Sequence, residues 1–175
     1  MNVCVYGAAS QQIAIEYLDA AQALGKALAE AGFGLVFGGG DTGVMGACAR
    51  GASAAGGTVI GVAPRFFDRE GVLYQSCTQL HFTDTMRQRK ERMEQLSDAF
   101  VMAPGGIGTL EEFFEVFTLR QLERHEKPIL ILNTRGYYNA LEAMLETAVG
   151  EGFLDRSCLG LCRMFRDPRE LVAAL

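Results

Sequence analysis

The sequence contains little of what several common classes of protein need. It has only two histidines, and His81 and His125 have no partner at the spacing of metal ligands, so we expect no metal site. Its 16 basic residues are outnumbered by 21 acidic ones, and a net charge of −5 without basic clustering argues against a nucleic-acid polymer as partner. Ser10 does not lie in the motif of a nucleophile elbow, and the sequence shows no recognisable Ser/His/Asp catalytic triad. Small anionic ligands are compatible with this composition, because a few local basic residues can bind them.

Long apolar runs and paired cysteines are also missing. The longest uncharged stretch, 1–15, is too short to span a bilayer and lacks the basic segment of a signal peptide. The cysteines are odd in number and show no CxxC spacing, which favours reduced, mostly buried thiols. We expect a cytoplasmic protein with no membrane partner, folded as a single domain over residues 1–175. The five cysteines are Cys4, Cys48, Cys77, Cys158 and Cys162.

Short apolar runs alternate with stretches of helical spacing. This alternation predicts βαβ units with right-handed crossovers, hence an α/β fold with a mainly parallel sheet. The predicted strands are 3–6, 34–37, 58–62, 100–103 and 129–132, with further short strands at 79–82 and 161–165. The predicted helices are 13–31, 44–55, 84–97, 109–124 and 137–149, and a last one begins after Asp167.

A glycine-rich turn, Pro104-Gly-Gly-Ile-Gly-Thr-Leu-Glu-Glu112, stands between a predicted strand and a predicted helix. Backbone N–H groups at the positive end of a helix suit an anion, above all a phosphate. A second cluster, Gly38-Gly39-Gly40, follows another predicted strand, so both clusters should lie at the sheet edge where ligands bind. Neither cluster is a Walker loop or a GxGxxG motif. The pattern predicts a site for a nucleotide-sized ligand.

Local sequence leaves other interpretations of these turns open. Thr109 could be the N-cap of the helix, with Glu112 completing a capping box, which would make the turn purely structural. Asp41-Thr42-Gly43 could close over a ligand or cap the next helix, and the cap is favoured.

Two cations occupy the apolar stripe of the helix predicted at 84–97. Met86, Met93 and Leu96 form that stripe, and Arg89 and Lys90 stand three and four residues after Met86. A cation that points toward the core needs an anion beside it. Arg89 is therefore a candidate active-site residue, with Lys90 second to it.

Taken together, Pro104-Gly-Gly-x-Gly-Thr-x-x-Glu112 and Met86-x-x-Arg89-Lys90 resemble the LOG ("lonely guy") family of cytokinin riboside 5′-monophosphate phosphoribohydrolases. The resemblance implies a Rossmann-like, doubly wound fold and a homodimer. It also implies hydrolysis, without a cofactor, of the N-glycosidic bond of AMP or an N6-substituted AMP to free base and ribose 5-phosphate. Further matching segments are Gly38-Gly-Gly-x-x-Gly-x-Met45-Gly46, Ser97-Asp98-Ala-Phe, Lys127-Pro128-Ile and Gly136-Tyr-Tyr138.

By this resemblance, Arg89 and Glu112 are the catalytic pair. A carboxylate beneath the ribose stabilises an oxocarbenium-like transition state, and Glu112 could also orient a water or attack C1′. Ile107 replaces the family's usual aromatic, and Tyr6-Gly-Ala-Ala-Ser replaces Cys-Gly-Ser-Ser; both differences bear on base preference. The positions implied to contact the nucleotide are Gly39, Gly40, Glu70, Met86, Lys90, Gly105, Gly106, Ile107, Gly108, Thr109, Leu110, Glu111 and Thr118.

Two other functions compete with this one. Members of the family often carry the label "lysine decarboxylase", but Lys26, Lys90 and Lys127 include no residue in a recognisable pyridoxal-phosphate setting, so we reject it. The second is a non-catalytic nucleotide- or pterin-binding carrier, resembling the molybdenum-cofactor carrier proteins. The presence of both Arg89-Lys90 and Glu112 favours the enzyme.

Overall fold

A sheet of seven parallel strands forms the centre of the computed structural model, which describes residues 1–175. The spatial order is β4-β3-β2-β1-β5-β6-β7, so the chain winds outward from β1 to β4 and then returns to β5 on the other side of β1. All seven predicted strands and the Rossmann-like, doubly wound class are confirmed. The strands are β1 (Asn2–Tyr6), β2 (Gly34–Phe37), β3 (Val59–Pro64), β4 (Gln79–Thr83), β5 (Ala99–Met102), β6 (Ile129–Leu132) and β7 (Cys162–Phe165).

Helices cover both faces of the sheet because successive strand residues point to opposite sides. In β1, Val3 and Val5 pack into one apolar core with α1, α2 and α6, while Cys4 and Tyr6 pack into the other with α3 and α4. None of the helices is long and apolar enough to cross a membrane. They are α1 (Ile15–Glu30), α2 (Gly43–Ala54), α3 (Met86–Gln95), α4 (Ile107–Gln121), α5 (Asn139–Gly150) and α6 (Pro168–Ala173).

The start of α4 corrects one interpretation of the sequence. The helix begins at Ile107 with Gly106 as its N-cap, two residues earlier than the predicted 109. Thr109 is consequently the third helical residue, and its buried side chain packs against Gly105, where a Cβ would come within 2.1 Å of Thr109 Oγ1. The capping-box interpretation of Thr109 and Glu112 is wrong. The extra half-turn gives the helix a glycine-rich end with unpaired N–H groups.

We propose that residues 1–175 form a single domain, because one sheet carries both cores. Thermal unfolding should be one cooperative transition, with coincident curves from circular dichroism and from the fluorescence of the five tyrosines, since the chain has no tryptophan. Leu24→Ala, which empties a fully buried position of α1, should lower stability by about 2–5 kcal/mol and move both curves together. Two separated transitions would contradict this proposal.

Candidate active site

A cleft of about 360 Å³ opens at the carboxyl edge of β1 and β5, where the winding of the sheet reverses. This reversal point is where open parallel sheets bind ligands. Its walls come from the loop that follows β1 and from the N-terminal turns of α3 and α4. Seven of the residues expected from the sequence line it: Met86, Arg89, Gly106, Gly108, Thr109, Glu111 and Glu112.

Arg89 is held in a fixed position by α3 and the sheet. A capping box at the start of α3 joins Thr85 and Gln88, each side chain bonding to the other's backbone N–H at 3.2 Å. Arg89 follows one residue later and is only 5% exposed. Its Nε donates to the carbonyl oxygen of Val62 in β3 at 3.1 Å, and its Nη1 donates to Glu112 Oε1 at 2.6 Å. The anion that a core-facing arginine requires is therefore Glu112.

Glu112 lies in an environment that favours its neutral form. Burial raises the pKa of its carboxyl, while the charge and hydrogen bond of Arg89 lower it, and the net shift is upward from the ordinary value of 4.5. The hydrogen bond to Arg89 uses Oε1, which leaves Oε2 for a ligand. When it is ionised, this largely buried carboxylate can stabilise positive charge that develops in the cleft.

Lys90 pairs with carboxylates on α4. Its Nζ lies 2.6 Å from Glu115 Oε2 and also bonds to Glu111, which lines the cleft. Burial lowers the pKa of Lys90, but the two carboxylates raise it more, so the amine stays charged. Lys90 therefore reaches the cleft through Glu111.

Each of the three lysine amines contacts an oxygen atom of the protein, and none of them lines the cleft. Lys90 is held charged by its two carboxylates, Lys26 pairs with Glu30 at 3.6 Å on the surface of α1, and Lys127 Nζ donates to the Glu94 carbonyl at 2.9 Å. These contacts disfavour the decarboxylase chemistry that was rejected on the sequence.

The glycine-rich turn presents the N-terminus of α4 to the cleft. Gly106 and Gly108 line it without side chains, so a ligand can approach the backbone N–H groups at the positive end of the helix. Two tyrosines fix the preceding segment: the Tyr137 hydroxyl donates to the Gly105 carbonyl at 2.9 Å, and the Tyr138 hydroxyl donates to the Ala103 carbonyl at 2.8 Å. The turn is therefore fixed in place with the N-terminus of α4 open to the cleft.

Some expected contact residues lie outside the cleft of a single chain. Gly105 lines an adjoining apolar pocket of about 230 Å³, and the 83% exposed side chain of Ile107 points to solvent. Leu110 packs on the core and its N–H is used by the Gly106 carbonyl. Gly39 and Gly40 contribute nothing to the cleft lining, and neither do the exposed residues Glu70 and Thr118. Nucleotide contacts at these positions remain predictions.

Reasoning from the sequence assigned no site role to several contributors, among them residues 7–10 of the loop after β1, which line the cleft. Met45 lines the cleft from α2, and Val62 supplies the carbonyl that fixes Arg89. Met45 belongs to the recognised glycine motif, so its position carried a signal. Nothing in the sequence marks Val62, because any residue type in a strand can supply a backbone carbonyl as acceptor. Thr42 is the N-cap of α2, as the favoured interpretation implies, but its side chain makes no capping hydrogen bond and its Oγ1 donates to the Ala9 carbonyl at 2.7 Å. Asp41 is bonded to Arg50 at 2.8 Å.

The parallel sheet, the Arg89–Glu112 ion pair and the exposed start of α4 define a Rossmann-like α/β protein with a cleft at the carboxyl edge of its sheet. A family model described as possible lysine decarboxylase matches residues 45–175. The chain is 38% identical over 175 residues to the cytokinin riboside 5′-monophosphate phosphoribohydrolase of Rhodococcoides fascians, covering 99% of this chain and 88% of that protein. The chain belongs to the LOG family, as its motifs indicated.

Other similar proteins support the same assignment. The probable cytokinin riboside 5′-monophosphate phosphoribohydrolase LOGL5 of Oryza sativa subsp. japonica is 42% identical over 153 residues, covering 87% of this chain but only 62% of the rice protein. Among solved structures, the molybdenum cofactor carrier protein of Chlamydomonas reinhardtii superposes with a TM-score of 0.76 at 25% identity, covering 99% of this chain and 94% of that one. One fold therefore serves proteins named as enzymes and proteins named as carriers.

Removal of Arg89 should destabilise the protein in a pH-dependent way. Arg89→Ala leaves the buried Glu112 carboxylate without its partner, which should cost about 3–5 kcal/mol at neutral pH. Loss of the positive charge also raises the pKa of Glu112 further, so the deficit should shrink as the pH falls through that pKa and the carboxyl becomes neutral. Urea unfolding at a series of pH values measures it.

Arg87→Ala is the matched control, since Arg87 is exposed on the same helix, and its effect should stay within about 0.5 kcal/mol. A deficit for Arg89→Ala that stays constant from neutral to acidic pH would show that the pairing is not what the arginine contributes.

Proposed function

We propose that the protein hydrolyses the N-glycosidic bond of a nucleoside 5′-monophosphate, either AMP or an N6-substituted AMP, to the free base and ribose 5-phosphate. The observation that carries the proposal is that the buried Arg89–Glu112 pair and the open N-terminus of α4 share one cleft. A carrier needs only the anion site. The names of the relatives at 38–42% identity support the enzyme.

The geometry supports a different role for each part of the cleft in binding and cleaving the substrate. The phosphate binds at the N–H groups of the first turn of α4, which fixes the position of the ribose. Glu112 then faces C1′ and stabilises the positive charge that develops as the bond to the base breaks. Arg89 keeps Glu112 oriented and ionised. Water adds its hydroxyl group to C1′ while its proton ends on the base, so the products are the free base and ribose 5-phosphate.

The hydrolysis is tested by release of free base from AMP and from isopentenyl-AMP. Glu112→Gln keeps the size of the side chain but removes its charge, and kcat should fall by about 10²–10⁴-fold. The rate should also rise with pH along an acid limb that lies above 4.5, because burial raises the pKa of Glu112 and only the ionised form acts. Adenosine should be a much poorer substrate than AMP, since it lacks the anchoring phosphate.

Glu146→Gln is the matched control, because Glu146 is an exposed carboxylate on α5, and it should hydrolyse at the wild-type rate. Nucleotide that is bound but released intact by the wild-type protein, with the same affinity in Glu112→Gln, would identify a carrier instead.

The protein is further proposed to be a homodimer located in the cytoplasm. Phe114 and Thr118 of α4 and Leu122 at its C-cap follow one another at four-residue intervals and share one exposed face, with Phe114 38% and Leu122 58% exposed. A second copy packed on this face would bury its apolar side chains and bring Thr118, which lies outside the cleft of its own chain, toward a shared site. Five free cysteines support a reducing compartment.

The oligomeric state is measured by light scattering coupled to gel filtration. The wild-type protein should elute at twice the 19.0 kDa mass of one chain, and Phe114→Glu should elute as a monomer because it places a charge in the proposed interface. Met144→Glu, which changes an apolar residue 63% exposed on α5, should remain a dimer. A dimer that tolerates Phe114→Glu would place the interface elsewhere.

A further inference from the structure

The guanidinium of Arg89 packs directly over a residue that has no side chain. Gly38 follows β2 and is buried, and a Cβ built on it would lie 1.9 Å from Arg89 Nη2 and 3.1 Å from both Arg89 Cζ and Met45 Sδ. Heavy atoms that are not bonded do not approach so closely, so any side chain at position 38 would displace the guanidinium. Gly38 does not have a positive φ, unlike its neighbour Gly39 at +79°, so its own backbone conformation does not require glycine.

The other sides of the guanidinium are already occupied. Nε is bonded to the Val62 carbonyl and Nη1 to Glu112 Oε1, in a position where Arg89 is only 5% exposed. The group therefore cannot move away from position 38 without lengthening one of these two hydrogen bonds. A methyl group at position 38 would therefore weaken the contact between Arg89 and Glu112 by displacing the guanidinium.

We propose that Gly38 is a positioning residue: because it has no side chain, the guanidinium of Arg89 can occupy the place from which it bonds to Glu112. This assigns the first glycine of the Gly38–Gly40 cluster to the ion pair rather than to the ligand. The catalytic consequence rests on the proposed hydrolysis, whereas the packing of Arg89 on Gly38 does not.

Gly38→Ala should lower kcat on the order of 10²-fold, the effect of misplacing a catalytic group by about 1 Å. KM for AMP should stay within about threefold, because the phosphate contacts lie on α4. The acid limb of the pH profile should also move to higher pH, since a displaced Arg89 no longer lowers the pKa of Glu112. A general loss of folded protein would reduce the apparent kcat without moving that limb.

Gly61→Ala is the matched control in the neighbouring strand β3. Its added methyl group would meet Leu80 Cδ1 at 2.8 Å and Cys77 Sγ at 3.1 Å, not Arg89. It should therefore reproduce the cost of overpacking but leave kcat and the pH profile close to those of the wild-type protein. A Gly38→Ala protein that behaves like Gly61→Ala overturns the proposal.

A thermal double-mutant cycle tests the same packing without any assay of activity. Gly38→Ala should lower Tm in the wild-type background and lower it much less in Arg89→Ala, where the clash with the guanidinium is absent and only the 3.1 Å contact with Met45 Sδ remains. Gly61→Ala should lower Tm equally in both backgrounds. If Arg89→Ala does not fold, Arg89→Lys replaces it, because lysine has no atom equivalent to Nη2.

Equal losses of Tm from Gly38→Ala in both backgrounds would refute the positioning role. If the wild-type protein releases no base from any nucleotide, the proposed hydrolysis fails, and the thermal cycle still decides whether Gly38 positions Arg89.

Discussion

The buried ion pair between Arg89 and Glu112 is the contact on which the candidate site depends. It joins α3 to α4 across the carboxyl edge of the sheet, with the Val62 carbonyl as its third member. A pair so little exposed contributes little net stability, because desolvation offsets most of the attraction. Its value lies in placing a carboxylate with a raised pKa beside the open N-terminal end of a helix. Stability alone does not account for such a pair at the edge of a ligand-sized cleft.

The two adjacent glutamates of α4 show how the fold assigns different roles to the same residue type. Neighbouring helical positions point about 100° apart. Glu112 consequently turns toward the sheet, where burial raises its pKa, whereas Glu111 remains 55% exposed and pairs with Lys90. Glu112 is therefore suited to the chemistry proposed at C1′, whereas Glu111 links the cleft to Lys90 and Glu115. Because α4 begins at Ile107 and continues without a break, the position of its first residue determines which of the two glutamates faces the sheet.

Reasoning from the sequence identified the parts of the site but not how they are joined. The strands, the parallel sheet and the common edge of the two glycine clusters followed from periodicity, since local patterns encode them. The burial of Arg89 followed from its place in an apolar stripe. Periodicity could not identify Glu112 as the anion beside Arg89, because residues 23 positions apart meet only through the order of the strands. For the same reason, the capping box at Thr109 remained a plausible alternative until Glu112 was seen to bond elsewhere. The family resemblance, by contrast, did name Arg89 and Glu112 as a pair.

The Gly38–Gly40 cluster shows why a glycine motif is easily assigned to the wrong task. Glycines at the carboxyl end of a strand are usually explained by close approach of a ligand, and that explanation fits Gly106 and Gly108, which line the cleft. Gly39 instead packs against Ala63, Leu73 and Leu80 with a φ of +79°, and Gly38 leaves room for a guanidinium. In both cases, the group that comes close to the glycine is a side chain of the protein itself. A glycine motif therefore indicates that something comes close to the backbone, and only the fold identifies whether it is substrate or protein.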